Sequence, residues 1–166
     1  MAQLRASGQD KRLFEGSAGG GFAMSVQGSL GIEAAGHYLW SLETGHKRED
    51  LYQIGPEAMV GWHVGAPQRW SLHGERIGLK QLWLYKGAFG ITATAGAENY
   101  SYRFALDDSR WFLQCGPTLL GCISLEYGWT YAMTARTPFV DQGRVMLRLE
   151  INAHALERVF RGVPIS

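Results

Sequence analysis

The strictest constraint on this chain is an alternation of apolar and polar residues that runs longer than a helix can carry it. From residue 22, Phe22, Met24, Val26, Leu30, Ile32 and Ala34 share one parity, and Tyr38, Trp40 and Leu42 continue it. Ala23, Ser25, Gln27, Ser29, Gly31, Glu33 and Ala35 fill the other. A helix would scatter either set around its circumference, whereas a strand puts each on its own face. Long two-faced strands of this kind predict an all-β, antiparallel chain.

The pattern recurs. Tyr52, Ile54, Ala58, Val60, Trp62 and Val64 alternate with Gln53, Glu57 and His63, after a charged loop at 45–50. Ile77, Leu79, Trp83 and Tyr85 oppose Arg76, Gly78 and Lys80. Beyond a Lys86-Gly87 turn, Phe89, Ile91, Ala93, Ala95 and Ala97 oppose Thr92, Thr94 and Glu98. After Asn99 the phase is expected to flip, making Tyr100, Tyr102, Phe104 and Leu106 the apolar set up to a turn at Asp107-Asp108-Ser109. One unbroken run then extends from Trp111 to Met133, and a last strand carries Val145, Leu147, Leu149 and Ile151. About eight strands result, or six if the long runs stay undivided.

With 166 residues, one domain is expected. Residues 1–21, ending in Gly19-Gly20-Gly21, read as a flexible arm, 22–155 as the β domain, and 156–166 as a tail. Gln53-Ile54-Gly55-Pro56 is echoed by Gln114-Cys115-Gly116-Pro117. A proline inside a strand removes a ladder donor, so both sites are expected to be bulges. Cys115 and Cys122 on one strand would face opposite ways, so no disulfide is expected between them.

Three features decide what the apolar face meets. Several runs reach the roughly 9–11 residues that a strand needs to cross hydrocarbon, against about 5–6 in an average strand. Aromatics stand at strand ends around aliphatic middles: Tyr38 and Trp40, Tyr52 and Trp62, Trp83 and Tyr85, and Trp111 with Tyr127, Trp129 and Tyr131. Aromatic rings favour both membrane interfaces, and Tyr52 to Trp62, roughly 33 Å along a strand, covers roughly 25 Å when tilted by about 40°. The polar face, finally, is small residues punctuated by Glu33, Glu57, Arg76, Lys80, Arg103, Glu126, Arg148 and Glu150. A narrow barrel interior holds small residues and mutually paired charges, so these eight are expected to form an interior charge network. The expected fold is an antiparallel up-and-down β-barrel with its apolar face turned to lipid.

In this pattern, over residues 22 to 153, the chain resembles small outer-membrane β-barrel proteins of Gram-negative bacteria. The resemblance implies an outer-membrane location, a lipid bilayer as partner, and other envelope proteins met through the loops. Residues 1–8 lack the apolar core of a secretory signal, so that location expects a mature form.

Chemistry is sparse. Ser71, His73 and Glu75 stand at i, i+2 and i+4 and are read as one polar face, with the ingredients of nucleophile, base and orienter. Outer-membrane enzymes that trim or add acyl chains use Ser and His on such barrels. Triads usually converge from different elements, which makes a polar lining the plainer reading. His63 on the polar face, and His37 and His46 near a loop, show no ligand-like spacing with cysteine or carboxylate, so no metal or cofactor is expected. Sixteen basic and fifteen acidic residues nearly cancel, and basic residues do not cluster on the aromatic face, so no nucleic-acid partner is expected. The leading expectation is a non-enzymatic envelope component, anchor or assembly subunit. A lipid-modifying acyl hydrolase or transferase, and a soluble barrel or sandwich subunit, are the alternatives.

Overall fold

A computed structural model describes residues 14–27, 30–42, 50–65, 70–86, 88–102, 105–134 and 143–152, apart from the side chains of 14, 15, 65, 70–73, 102, 105–108 and 134. Eight antiparallel strands close into a barrel in chain order: β1 (Phe14–Val26), β2 (Leu30–Leu42), β3 (Leu51–Gly65), β4 (Trp70–Tyr85), β5 (Phe89–Tyr102), β6 (Ala105–Leu119), β7 (Ile123–Thr134) and β8 (Gly143–Asn152). Each strand pairs with its sequence neighbour, and β8 returns to β1 through Gly19↔Asn152 to Val26↔Val145. Closure leaves no unpaired sheet edge.

The register sets the shape. Stepping across the ladders from Gly16 leads to Trp40, Ile54, Gln81, Ala93, Cys115, Tyr127, Val145 and back to β1 at Val26. The circuit returns ten residues further along β1, from 16 to 26, so the shear is ten. Eight strands with that stagger tilt by about 40° and enclose a backbone cylinder of about 8 Å radius. Such a cylinder is just wide enough for inward side chains to fill. The near end of the barrel carries the β2–β3, β4–β5 and β6–β7 connections, the start of β1 and the end of β8; the far end carries the other four connections.

Several expectations need correction. Residues 14–21 are not part of an arm. They pair with β2 from Phe14↔Leu42 to Gly21↔Ala35, and β8 takes up the other side from Gly19 onward. A glycine-rich stretch is loose by itself, but here the backbone is held from both sides, and the small residues admit large neighbours: the Tyr38 ring lies over Gly16 and the His37 ring over Gly19. The run from Trp111 to Met133 is two strands. Residues 120–122 form a three-residue connection between the partners Leu119 and Ile123; Leu120 and Gly121 have φ of 56° and 64°, and the Cys122 N–H donates to the Leu119 carbonyl at 2.9 Å. That turn returns the chain with its parity unchanged, so the alternation passes through it without a mark.

Nor does the phase flip at Tyr100, which stays inward and buried; the register instead slips between Tyr100 and Ser101. At the two prolines no bulge forms. The β2–β3 ladder skips from His37↔Glu57 to Trp40↔Ile54, and the β6–β7 ladder from Cys115↔Tyr127 to Thr118↔Ser124, with the register unchanged across each gap. A missing N–H breaks a rung without requiring an extra residue. Cys115 lies on the exposed face of β6 and Cys122 in the hairpin turn, both as free thiols.

Candidate functional site

The barrel is inverted relative to a water-soluble one. Phe22, Ile32, Val60, Ile77, Ile91, Leu125, Leu149 and Ile151 are exposed, Ile77 by 66%, while Arg148, Arg144, Glu126 and Lys80 are at most 1% exposed. This follows from the pleat. Every second residue faces the lumen, and here that parity carries the charge.

Around the described lumen stand five carboxylates, Glu33, Glu57, Glu98, Glu126 and Glu150, and five cations, Arg76, Lys80, Arg110, Arg144 and Arg148. Burying charge is costly unless it is paired and hydrogen-bonded, and this set is electrically balanced. It divides into two groups along the axis. Toward the far end, Arg144 Nη1 donates to Glu98 Oε2 at 2.8 Å, to the Tyr100 oxygen at 3.1 Å and to Gln27 Oε1 at 3.2 Å. Arg76 pairs with Glu33 and donates to Gln114 Oε1 at 3.3 Å. The Phe112 ring centroid lies 5.8 Å from the Arg76 guanidinium carbon and 5.7 Å from that of Arg144, within cation–π range. His63 sits 3.6 Å from Glu33 Oε1 and edge-on to Tyr100.

Toward the near end, Arg148 is the hub. Its two terminal nitrogens grip both oxygens of Glu57, Nη2 donates to Glu150 Oε1 at 2.6 Å, and Nη1 reaches Glu126 Oε2 at 3.5 Å. Lys80 Nζ bridges Glu150 Oε2 at 2.5 Å and Glu57 Oε2 at 3.3 Å. Between the groups pack Ala23, Met59 and Met146; beyond the near group, Leu39, Leu51, Leu82 and Leu84 close the near end. The lumen is filled.

Of the eight residues expected inside, Glu33, Glu57, Arg76, Lys80, Glu126, Arg148 and Glu150 therefore meet in the two groups, while Arg103 lies outside the described residues. Sequence reasoning missed Arg144, one residue after the glycine read as loop, and Arg110, beside the turn cluster. It also placed His37 near a loop. His37 is in mid-β2, inward, and reaches the near group. Parity was the signal that would have found all three.

Of the candidate trio Ser71, His73 and Glu75, only Glu75 has a described side chain, and it is not interior. Glu75 is exposed on the outer face, in the parity of Ile77, because Arg76 beside it takes the lumen. The side chains of Ser71 and His73 lie outside the described residues, as does His46.

The expected interface aromatics fall into two sets along the axis. At about 40° of tilt, each residue advances roughly 2.5 Å along the axis and each step to the next strand roughly 3 Å. On that scale Tyr38, Trp40, Tyr52, Trp83 and Tyr85 form a ring near one end, joined by Phe89, with Tyr52↔Trp83 and Tyr85↔Phe89 as direct partners. Trp62, Trp111, Trp129 and Tyr131 form the other, with Trp111↔Tyr131 paired; Tyr127 lies just inside it and packs edge-on to Trp129. The rings are about 23 Å apart, with mostly Ile, Leu, Val, Ala and Pro between them. A family or relative would add to this geometry, but no protein-family model matches the chain and no curated protein matches it in sequence.

Proposed function

We propose that this protein is an integral outer-membrane β-barrel that acts without chemistry of its own, as an envelope structural component, an anchor or a subunit of a larger membrane assembly. One observation carries the reading: an exposed apolar belt, continuous around all eight strands and bounded by aromatic rings about 23 Å apart, the height of the apolar band of such barrels. The belt covers on the order of 1,500 Å² on a cylinder of this size, well beyond the largest apolar patches of water-soluble monomers. Hydrocarbon covers a belt of that shape on every side; a protein partner would cover a sector. With the lumen filled by paired charges and leucines, the barrel's contacts with other envelope proteins fall to its two ends.

The test is purification. The folded chain should require detergent, show β-rich circular dichroism, and migrate differently in gels before and after boiling. A monodisperse monomer in plain buffer with the same spectrum would overturn the membrane reading.

A further inference from the structure

The near-end group carries three carboxylates, Glu57, Glu126 and Glu150, against two cations, Lys80 and Arg148. One negative charge is left over in a buried layer. Facing it is His37, its side chain only 1% exposed and its Nδ1 3.7 Å from Glu150 Oε1, with neither ring nitrogen in a hydrogen bond. An imidazole that makes no hydrogen bond in a polar lumen is unusual, since buried polar atoms are nearly always paired. The room it occupies is built into the strand opposite: its register partner is Gly19, where a Cβ would collide with the ring. Around it the layer has further spare acceptors in Glu126 Oε1 and the hydroxyls of Thr92 and Thr94, Thr94 being the register partner of Lys80.

We infer that His37, Glu57 and Glu150 form a binding site for one divalent transition-metal ion inside the barrel. One ligand atom from each lies within 4.8 Å of the others. Tetrahedral zinc with bonds of about 2.1 Å spaces its ligand atoms by about 3.4 Å, so the observed 3.7 Å from His37 to Glu150 needs only a small contraction. One imidazole and two carboxylates suit zinc, cobalt, nickel or manganese better than calcium or magnesium, which prefer all-oxygen shells. The ion competes with the Lys80 ammonium, which bridges the same two carboxylates, and with the Arg148 guanidinium, which holds both oxygens of Glu57 and Oε1 of Glu150. Lys80 is thus a built-in rival: with the metal bound it swings from Glu150, and with the metal gone it refills the site. Because leucines seal the near end, the ion enters as the barrel closes, so binding is coupled to folding. None of this depends on what surrounds the barrel.

The experiment uses the full chain refolded in detergent micelles with Co²⁺, then desalted. One cobalt per chain should remain, with visible absorption bands that zinc displaces and magnesium does not. His37→Gln should fold and lose the bands, whereas Lys80→Met should retain cobalt at lower free concentration than the parent chain, because one rival cation is gone. X-ray absorption of the zinc-loaded parent chain should show one imidazole in a shell otherwise of oxygen, a readout that stands even if a variant fails to fold. Folded parent chain and Lys80→Met that both retain no metal would overturn the site. So would equal retention by His37→Gln, or an all-oxygen shell.

Discussion

Arg148 shows how a single residue can tie a barrel together. It touches carboxylates on β3, β7 and β8 at once, and its side chain is wholly buried. Among the described residues, removing it leaves Glu57, Glu126 and Glu150 with Lys80 as their remaining strong cationic partner, so Arg148→Ala should cost about 3–5 kcal/mol in urea unfolding from detergent or lipid. Lys86→Ala, at an exposed turn, should stay within about 0.5 kcal/mol. A loss below about 1 kcal/mol at Arg148 would mean that this face is wetted by bulk water. Parity in the sequence was enough to put Glu57, Glu126, Arg148 and Glu150 on one face. It could not say who pairs with whom, because Glu57 and Arg148 are 91 residues apart and meet only across a closed ring. The leucines of the near-end plug were illegible for another reason: Leu39, Leu82 and Leu84 sit in the polar phase, where an alternation rule expects no apolar side chain.

Among the elements, the β6–β7 hairpin hid best. Strand existence and facing followed from period two, but a three-residue connection preserves that period, and Leu120 is not a residue that announces a left-handed turn. Its φ of 56° is strained for a side chain with a Cβ, and the strand neighbours hold it there: the Leu120 N–H donates to the Ala88 carbonyl at 2.5 Å, and the Glu150 N–H to the Cys122 carbonyl at 2.7 Å. Leu120→Gly should therefore raise stability by about 1 kcal/mol in chemical unfolding, since the left-handed conformation then costs little. The outer face of the elements makes a prediction of depth. Leu79 lies midway between the aromatic rings and Val64 beyond the far one. Leu79→Arg should cost about 2–4 kcal/mol and Val64→Arg about 0–1 kcal/mol in refolding from lipid vesicles. Equal costs at the two positions would remove the depth axis, and with it the bilayer.

The whole molecule is a cylinder that is polar within and apolar without, and its lumen holds guanidinium, carboxylate and leucine side chains where a porin holds water. Reconstituted in planar bilayers it should show no steady single-channel current; a stable open level of conductance would contradict the packed interior. Because the interior is so closely filled, the arrangement also has a history. Two ion pairs lie within hairpins, Lys80 with Glu57 and Arg148 with Glu126, while links between non-adjacent strands join β2 to β4, β3 to β8, β4 to β8 and β5 to β8. Arg76 with Glu33 and Arg144 with Glu98 pair across non-adjacent strands, so a half-formed sheet entering hydrocarbon would separate these charges from their partners. Three of these four longer-range links end on β8, the last of the eight strands in chain order. Insertion is therefore expected to wait for the complete ring. A chain stopped after β7 should stay at the vesicle surface, open to added protease, until a peptide of residues 143–152 is supplied.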